Sequence, residues 1–582
     1  MLLAGLGLVG VAAASAASAG SLNPPAGPVL PTGKTTDEIE PRVDVQSLAG
    51  DATAQHLISQ PGSYYLTGNI GGVAGQAAIA IDADNVTLDL GGFALLGVAG
   101  ATRGVEIRNT RSQYVVRNGS IRTFDNGGVQ TVNGSSGNVR IERLTVNGIA
   151  NGPGIDIAAF CVRVCDCEVT AISGVGGSRG QGINLPVNGT FSSQVESCVV
   201  RGCSVRGISA GMVVSCTVEA TGNTGIFGNE ISNCYVILLN GTGTVFGIQG
   251  SHVSNCFVAN LASSGVGATG ISAADVSNCG AFNVTSTGNS VGIKATSTTG
   301  CSVQSVGGSS GSAIGLQARS ASTCSVLGIG TDGSTTAPIG ISTLTAIGCD
   351  VDFIGDPASV VGATGIQAET VSNCRVGEIF GGTSGIVSGI SASVVSGCNV
   401  TSLSQGASTG SVTGISADVI TGCRVDGING SSSATVSGLG NATTVRDCMV
   451  SNVSNPGAGA AFGFNKPSTN AGSIENSTFR SCGDTALSIV SRQRIDGCNI
   501  QATTTGILAT GVGNVIDGNN VDTCTTGISA TSGANGAKAL IVRNQVRNCT
   551  TNITADSPCQ VGPIVTANGT IVSTSPWANF TD

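Results

Sequence analysis

The sequence predicts an all-β solenoid, a coil of short strands stacked rung upon rung, and three observations carry that prediction. The stretch GIQAETVSNCRV at 365–376 is rewritten along the chain as GISAGMVVSCTV (207–218), GIFGNEISNCYV (225–236), GIQGSHVSNCFV (247–258), GISASVVSGCNV (389–400) and GISADVITGCRV (414–425). The distance from its Ile to its Cys stays at eight residues, as in Ile208–Cys216, Ile271–Cys279 and Ile366–Cys374, while the gap to the next Ile runs from ten to seventeen. A period near 22–25 residues with one rigid and one elastic half marks a repeat that rests only on its neighbours. No segment shows the 3.6-residue period of a helix.

Each element of the repeat has a physical reason. Ile366 and Ala368 share one face by two-residue alternation, with Gln367 opposite. Val371 lies three residues beyond Ala368, so the parity breaks and the chain bends. Cys374 and Val376 alternate again after a second break. The residue before the Cys is Asn233, Asn255, Asn278, Gly300, Gly348, Asn373, Gly397, Gly422 or Asp447 in different repeats. These types adopt the left-handed backbone region at low cost, so the column predicts a tight corner. Short strands joined by such corners pair with their own copies above and below, in parallel.

The pattern resembles the right-handed parallel β-helix proteins of the pectin-lyase-like superfamily. PGSYYLTGN (61–69), DNVTLDLGGF (84–93) and PWANF (576–580) resemble a group of exported bacterial members. The resemblance spans residues 40–582. It implies a single-stranded right-handed parallel β-helix with N- and C-terminal caps. It implies no one activity, because the superfamily includes lyases, hydrolases, epimerases, adhesins and structural rods.

In chain order, residues 1–19 form a short apolar run ending in Ala17-Ser18-Ala19, a small-residue cleavage pattern that predicts an export signal. Residues 20–38 are Pro-rich and read as a linker. Residues 39–78 are expected to cap the first open sheet edge, and residues 79–554 to form about twenty coils. At roughly 4.8 Å per rung, that is a rod on the order of 100 Å long. Residues 555–582, with Trp577 and Phe580, are expected to cap the far end. No stretch after the leader is long and apolar enough to span a bilayer, so an exported, secreted or cell-surface protein is expected.

Composition agrees with narrow coils. The chain has 89 Gly, 10% charged and 3% aromatic residues, and a mean hydropathy of +0.29 argues against disorder. A net charge of −9 without a basic run excludes a nucleic-acid partner. Of 21 Cys, fourteen fall in the Cys-x-Val column from Cys167 to Cys498, and Cys203, Cys482, Cys524 and Cys549 form a second column. Rung-to-rung neighbours have parallel Cβ vectors about 4.8 Å apart, too far and too parallel for easy disulfides. A ladder of buried free thiols is expected. Leu144, Gly119 and Asn519 occupy the same column, which asks for a small or apolar residue rather than sulfur chemistry.

Chemistry is sparse. Two histidines, His56 and His252, leave no zinc-protease motif and make a Ser-His-Asp triad a poor fit. CVRVCDCEV (161–169) has no partner pair at zinc spacing, so neither a metal nor a cofactor is expected. The adjacent Asp pair and Gly-His-Gly of polygalacturonase-like hydrolases are missing. The exception is a belt of Arg103, Arg108, Arg111, Arg117, Arg122, Arg140, Arg143 and Arg163, interleaved with Glu106, Asp125, Glu142 and Asp156. The outward residue of successive coils is Glu106, Gln130, Asp156 and Asn184. Two rungs separate Glu106 from Asp156, roughly 9–10 Å, at or beyond the upper end of the spacing used by inverting glycosidases. Glu106 and Asp156 are therefore the catalytic candidates, and Arg108, Gln130, Asn184 and Arg140 the ligand-binding ones. Two functions remain open. One is a non-enzymatic rod with a structural, adhesive or glycan-binding role; the other is a polysaccharide lyase or glycoside hydrolase using residues 103–168. The discriminating feature is whether the belt converges in one groove or spreads over separate faces.

Overall fold

The computed structural model describes residues 42–582, apart from stretches at 134–135, 175–178, 188–191, 220, 331–335, 357–360, 407–409, 432, 532–538 and 567–571. The expected leader (1–19) and linker (20–38) lie outside the described residues. Every described strand joins one 65-stranded sheet wound into a right-handed parallel β-helix of about 20 turns. One short 3₁₀ turn, Val45–Ser47, is its helical element among the described residues.

One coil shows how the repeat becomes three faces. Ala363–Gln367 forms the first face, Thr370–Ser372 the second, and Arg375–Val376 with Ile379–Gly381 the third. Each strand pairs in parallel with its copy one coil on: Ile366 with Ile390, Val371 with Val395, Val376 with Val400, and Ile379 with Leu403. Those eight side chains are all fully buried, so the aliphatic columns fuse into one continuous core. Burying apolar surface along the whole axis is what holds the coil, since each rung covers the next.

The corners stand where the sequence puts them. Asn233, Asn255, Asn278, Asn373 and Asp447 have φ between 51° and 55°, and Gly300, Gly348, Gly397 and Gly422 between 60° and 62°. A Cβ on Gly397 would stand 2.5 Å from Asn373 Oδ1, so the glycine leaves room for the amide of the rung before it. A second left-handed column bends the third face at Asn260, Asn283, Gly328, Ser402, Gly427 and Asn452. The sequence reading did not include it.

All cysteines in the main column are buried and free. The Cys234 thiol donates to the Ser232 carbonyl at 3.2 Å, while the Cys234 N–H donates to Cys256 Sγ at 3.4 Å. Burial pushes the Cys498 thiol up to about 12. Toward the C-terminal end, the column changes chemistry. Asn519 Nδ2 donates to Asn544 Oδ1 at 3.0 Å, and Asn544 Nδ2 to Asn579 Oδ1 at 3.1 Å. Cys203 and Cys482 occupy the apolar column of the third face, in register with Ile172 and Val453.

At the N-terminal end the ladders begin earlier than residue 79. Ala54–Ile58 pairs with Ala77–Ile81, and Val43–Asp44 with Tyr64–Tyr65. The segment expected to cap is thus built of paired rungs. At the other end Asn579–Thr581 pairs with both Gln545–Arg547 and Ile564–Thr566, tucking the tail into the last turns. Trp577 is 55% exposed, with the Arg543 guanidinium 5.9 Å from its ring centroid.

Candidate functional site

The outward column of the first face lies in the expected register. Glu106 pairs with Gln130, Gln130 with Asp156, and Asp156 with Asn184. Arg103 and Arg108 flank Glu106 on its own strand, Arg103–Arg108. Because a strand alternates its side chains and each rung copies the last, side chains from distant parts of the sequence stand in one file.

The file is closed by its own hydrogen bonds. Arg103 Nη1 donates to Glu106 Oε2 at 2.9 Å, and Arg108 Nε to Glu106 Oε1 at 2.8 Å. Arg103 Nε reaches the next rung and donates to Gln130 Oε1 at 2.6 Å. Gln130 Nε2 donates to Asp156 Oδ2 at 3.2 Å, and Asn184 Nδ2 donates to Asp156 Oδ1 at 2.8 Å. Both oxygens of each carboxylate are therefore engaged. Glu106 is only 8% exposed. Gln130 fills the space between the two carboxylates, where an inverting enzyme would seat a sugar and a water. Each carboxylate oxygen thus points at a donor of the file itself, which pins both carboxylates in place.

Arg108 is held further by residues two coils away. Its guanidinium hydrogen-bonds Asp51 and donates to Thr53 Oγ1 at 2.6 Å. That hydrogen bond to Arg108, with the Thr53 N–H behind it, draws the Asp51 carboxyl well below the usual carboxylate range. Asp51 and Thr53 were not singled out from the sequence, because only the coil register brings residues so distant into contact.

The rest of the belt faces elsewhere. Arg140 lies on strand Ser136–Ile149 of the second face, in register with Val115 and Arg163, and pairs with Glu142 at 2.6 Å. Arg143 joins the same carboxylate at 3.0 Å, and Arg117 lies 4.0 Å from it. Arg163 pairs with Glu196 at 2.6 Å and Arg111 with Asp82 at 2.9 Å. The structure thus brings Glu106, Arg108, Gln130, Asp156 and Asn184 together and sets Arg140 apart from them. Each belt carboxylate with an arginine beside it is matched within one or two rungs, an arrangement that solvates and pins a face.

Two other features complete the inventory. His252 is exposed between Glu230 at 3.0 Å and Asp275 at 3.2 Å, one rung to either side. Cys161 is exposed whereas Cys165 and Cys167 are buried, so CVRVCDCEV splits between surface and core. Grooves of about 560 and 530 Å³ lie beside the charged coils, lined in part by Arg143, Glu168 and Arg201 and by Arg163, Met212 and Glu230 respectively. Neither contains Glu106 or Asp156. Among the described residues no helix is long and apolar enough to cross a membrane.

No protein-family model and no curated protein sequence matches the chain. A solved structure described as PfbA, a surface adhesin of Streptococcus pneumoniae, aligns over 62% of this chain and 83% of its own, at 11% identity and a TM-score of 0.13. An overlap that loose leaves the function to be argued from the residues themselves.

Proposed function

We propose that this protein is a non-catalytic β-helix rod, exported to the cell surface or beyond, with a structural, adhesive or glycan-binding role. The supporting observation is the closed hydrogen-bond file Arg103–Glu106–Gln130–Asp156–Asn184, which occupies both oxygens of each candidate catalytic carboxylate. The fold supports the same reading. A solenoid spends most of its residues on identical rungs and offers long, regular outer faces, which suits spanning and display. Assignment to the pectin-lyase-like superfamily belongs to this proposal and rests on the residue patterns at 61–69, 84–93 and 576–580.

The test is a turnover assay against neutral and anionic polysaccharides, following unsaturated-uronate absorbance and new reducing ends together. The rod reading expects no turnover by the natural protein. Turnover that disappears in Glu106→Ala or Asp156→Ala would replace it with a lyase or hydrolase working on the N-terminal coils.

A further inference from the structure

The first face changes character past the charged file. Glu106, Gln130, Asp156, Asn184, Ser209 and Phe227 are successive members of one outward column. Arg206 stands three residues before Ser209, as Arg103 stands three before Glu106. Arg103 has a carboxylate on its own rung and an amide on the next, and it bonds to both. Arg206 finds a serine and a phenylalanine in those two places. Its guanidinium lies over the Phe227 ring instead, 4.9 Å from the centroid.

Nothing replaces the missing carboxylate among the described residues. Arg206 Nε is buried without a partner, and burial alone draws the guanidinium below its ordinary value. A charge held partly out of water with no counter-charge is costly. Nη1 and Nη2 are not so enclosed, and the side chain as a whole is partly exposed.

A second cation stands in the same column. Phe227, Gln249, Ser272 and Lys294 follow one another in register. Lys294 is exposed and has no ion pair among the described residues. The neighbouring column, Arg206, Thr224, Phe246, Thr269 and Val291, is likewise free of Asp and Glu. The three carboxylates between 206 and 294 lie on other faces, Glu219 beside Arg201 and Glu230 and Asp275 beside His252. The undescribed stretches at 175–178, 188–191 and 220 contain no acidic residue. On a chain of net charge −9, this strip carries two unmatched cations and two phenylalanines.

We infer that the strip binds an extended acidic peptide segment of a partner protein, laid along the rod axis. This deepens the adhesive form of the rod reading and rests on it. An extended chain rises about 3.3 Å per residue and turns alternate side chains to one side, so acidic residues six apart face the same way about 20 Å apart. The two cations are four rungs apart, about 19 Å. The Arg206 fork offers its outer edge to one carboxylate, and Lys294 gives a point charge to the other. Phe227 and Phe246 lie between them and take an apolar side chain of the segment. Arginine beside aromatic rings is the composition of interface centres.

The test is calorimetric titration of the full chain with a terminally blocked heptapeptide, ESVTVSE. QSVTVSQ removes its charges, and ESVTVES sets the acidic residues five apart, on opposite sides. Saturable heat is expected with ESVTVSE alone, weakening as salt is added. Arg206→Gln and Lys294→Gln are each expected to weaken binding at least tenfold. Arg319→Gln removes an exposed cation outside the strip and is expected to leave binding unchanged. Lys294→Glu is expected to lose ESVTVSE and to bind ESVTVSK, a recovery that a misfolded variant would not show. No saturable heat with ESVTVSE, equal binding of ESVTVES, or indifference to both substitutions would each overturn the inference. Tighter binding of hexagalacturonate through Arg206 and Lys294 would also overturn it, in favour of an acidic glycan. These failures are separable from failure of the rod reading, which falls only if polysaccharide is turned over.

Discussion

The same inward column runs through the rod in two chemistries. From Cys167 to Cys448 it is a file of thiols; at Asn519, Asn544 and Asn579 it is a file of amides. A thiol is a small hydrophobe with one weak donor, so its stability comes mainly from filling space. An amide in the same slot must find partners for its carbonyl and its N–H groups, and here it does. Asn544 takes the Asn519 N–H at 3.0 Å and gives to the Ile516 and Val542 carbonyls at 3.0 and 2.9 Å. One corner geometry accepts either solution. The thiol file tolerates replacement, and the amide file ties each rung to the next.

The largest expected effect tests that asymmetry directly. Asn544→Ala leaves several buried groups unpaired and is expected to cost about 3 kcal/mol, read as a drop in the denaturant midpoint by circular dichroism. A loss under 1 kcal/mol would mean that the amides are mere filler. Next comes the corner before the thiols. Asn373→Val forces a β-branched residue to φ 53° and is expected to cost about 1–2 kcal/mol, whereas Asn373→Gly stays near neutral. Cys374→Ala, in the thiol file itself, should cost only about 1 kcal/mol, the value of a small buried apolar group.

A smaller effect concerns acid stability at the amide end. Asp517, whose side chain is 6% exposed, accepts from Arg543 Nε at 2.6 Å, and that bond holds its carboxyl below the ordinary 3.8. A depressed carboxyl stabilises fully above its unfolded value and loses that contribution as pH falls through the folded value. The stability gap between the natural protein and Asp517→Asn should therefore be constant near neutrality and shrink below about pH 4. A gap that widens in acid would contradict it. The mildest test is chemical: brief alkylation of the native protein should label the exposed Cys161 and leave the thiol file unmodified until denaturant is added.

Much of this architecture was legible in the sequence, because fixed spacing maps directly onto fixed geometry. The eight-residue interval from Ile to Cys sets the first two faces, and the residue before the Cys announces its own positive φ. The alignment of Glu106, Gln130, Asp156 and Asn184 followed from alternation alone. What escaped the reading depends on the elastic half of the repeat. Arg108 meets Asp51 and Thr53 because turns of unequal length happen to return to one edge. Asn579 completes the amide file only because the tail comes back 35 residues after Asn544. The second left-handed column stands a fixed four residues after each Cys, at Asn260, Asn283, Gly328, Gly427 and Asn452, but Leu238, Ser305, Phe353 and Ser402 share it, so residue type does not announce the corner.

Because every strand pairs only with its copies in the adjoining coils, length is an adjustable quantity in this molecule. Removing residues 365–388 would bring Gly389 to the place of Gly365, with the same Gly-Ile opening and the same corner eight residues on. Removal or insertion of such a unit would change the number of coils in whole steps. The reach of the rod could then be reset in steps of about 4.8 Å without disturbing either end.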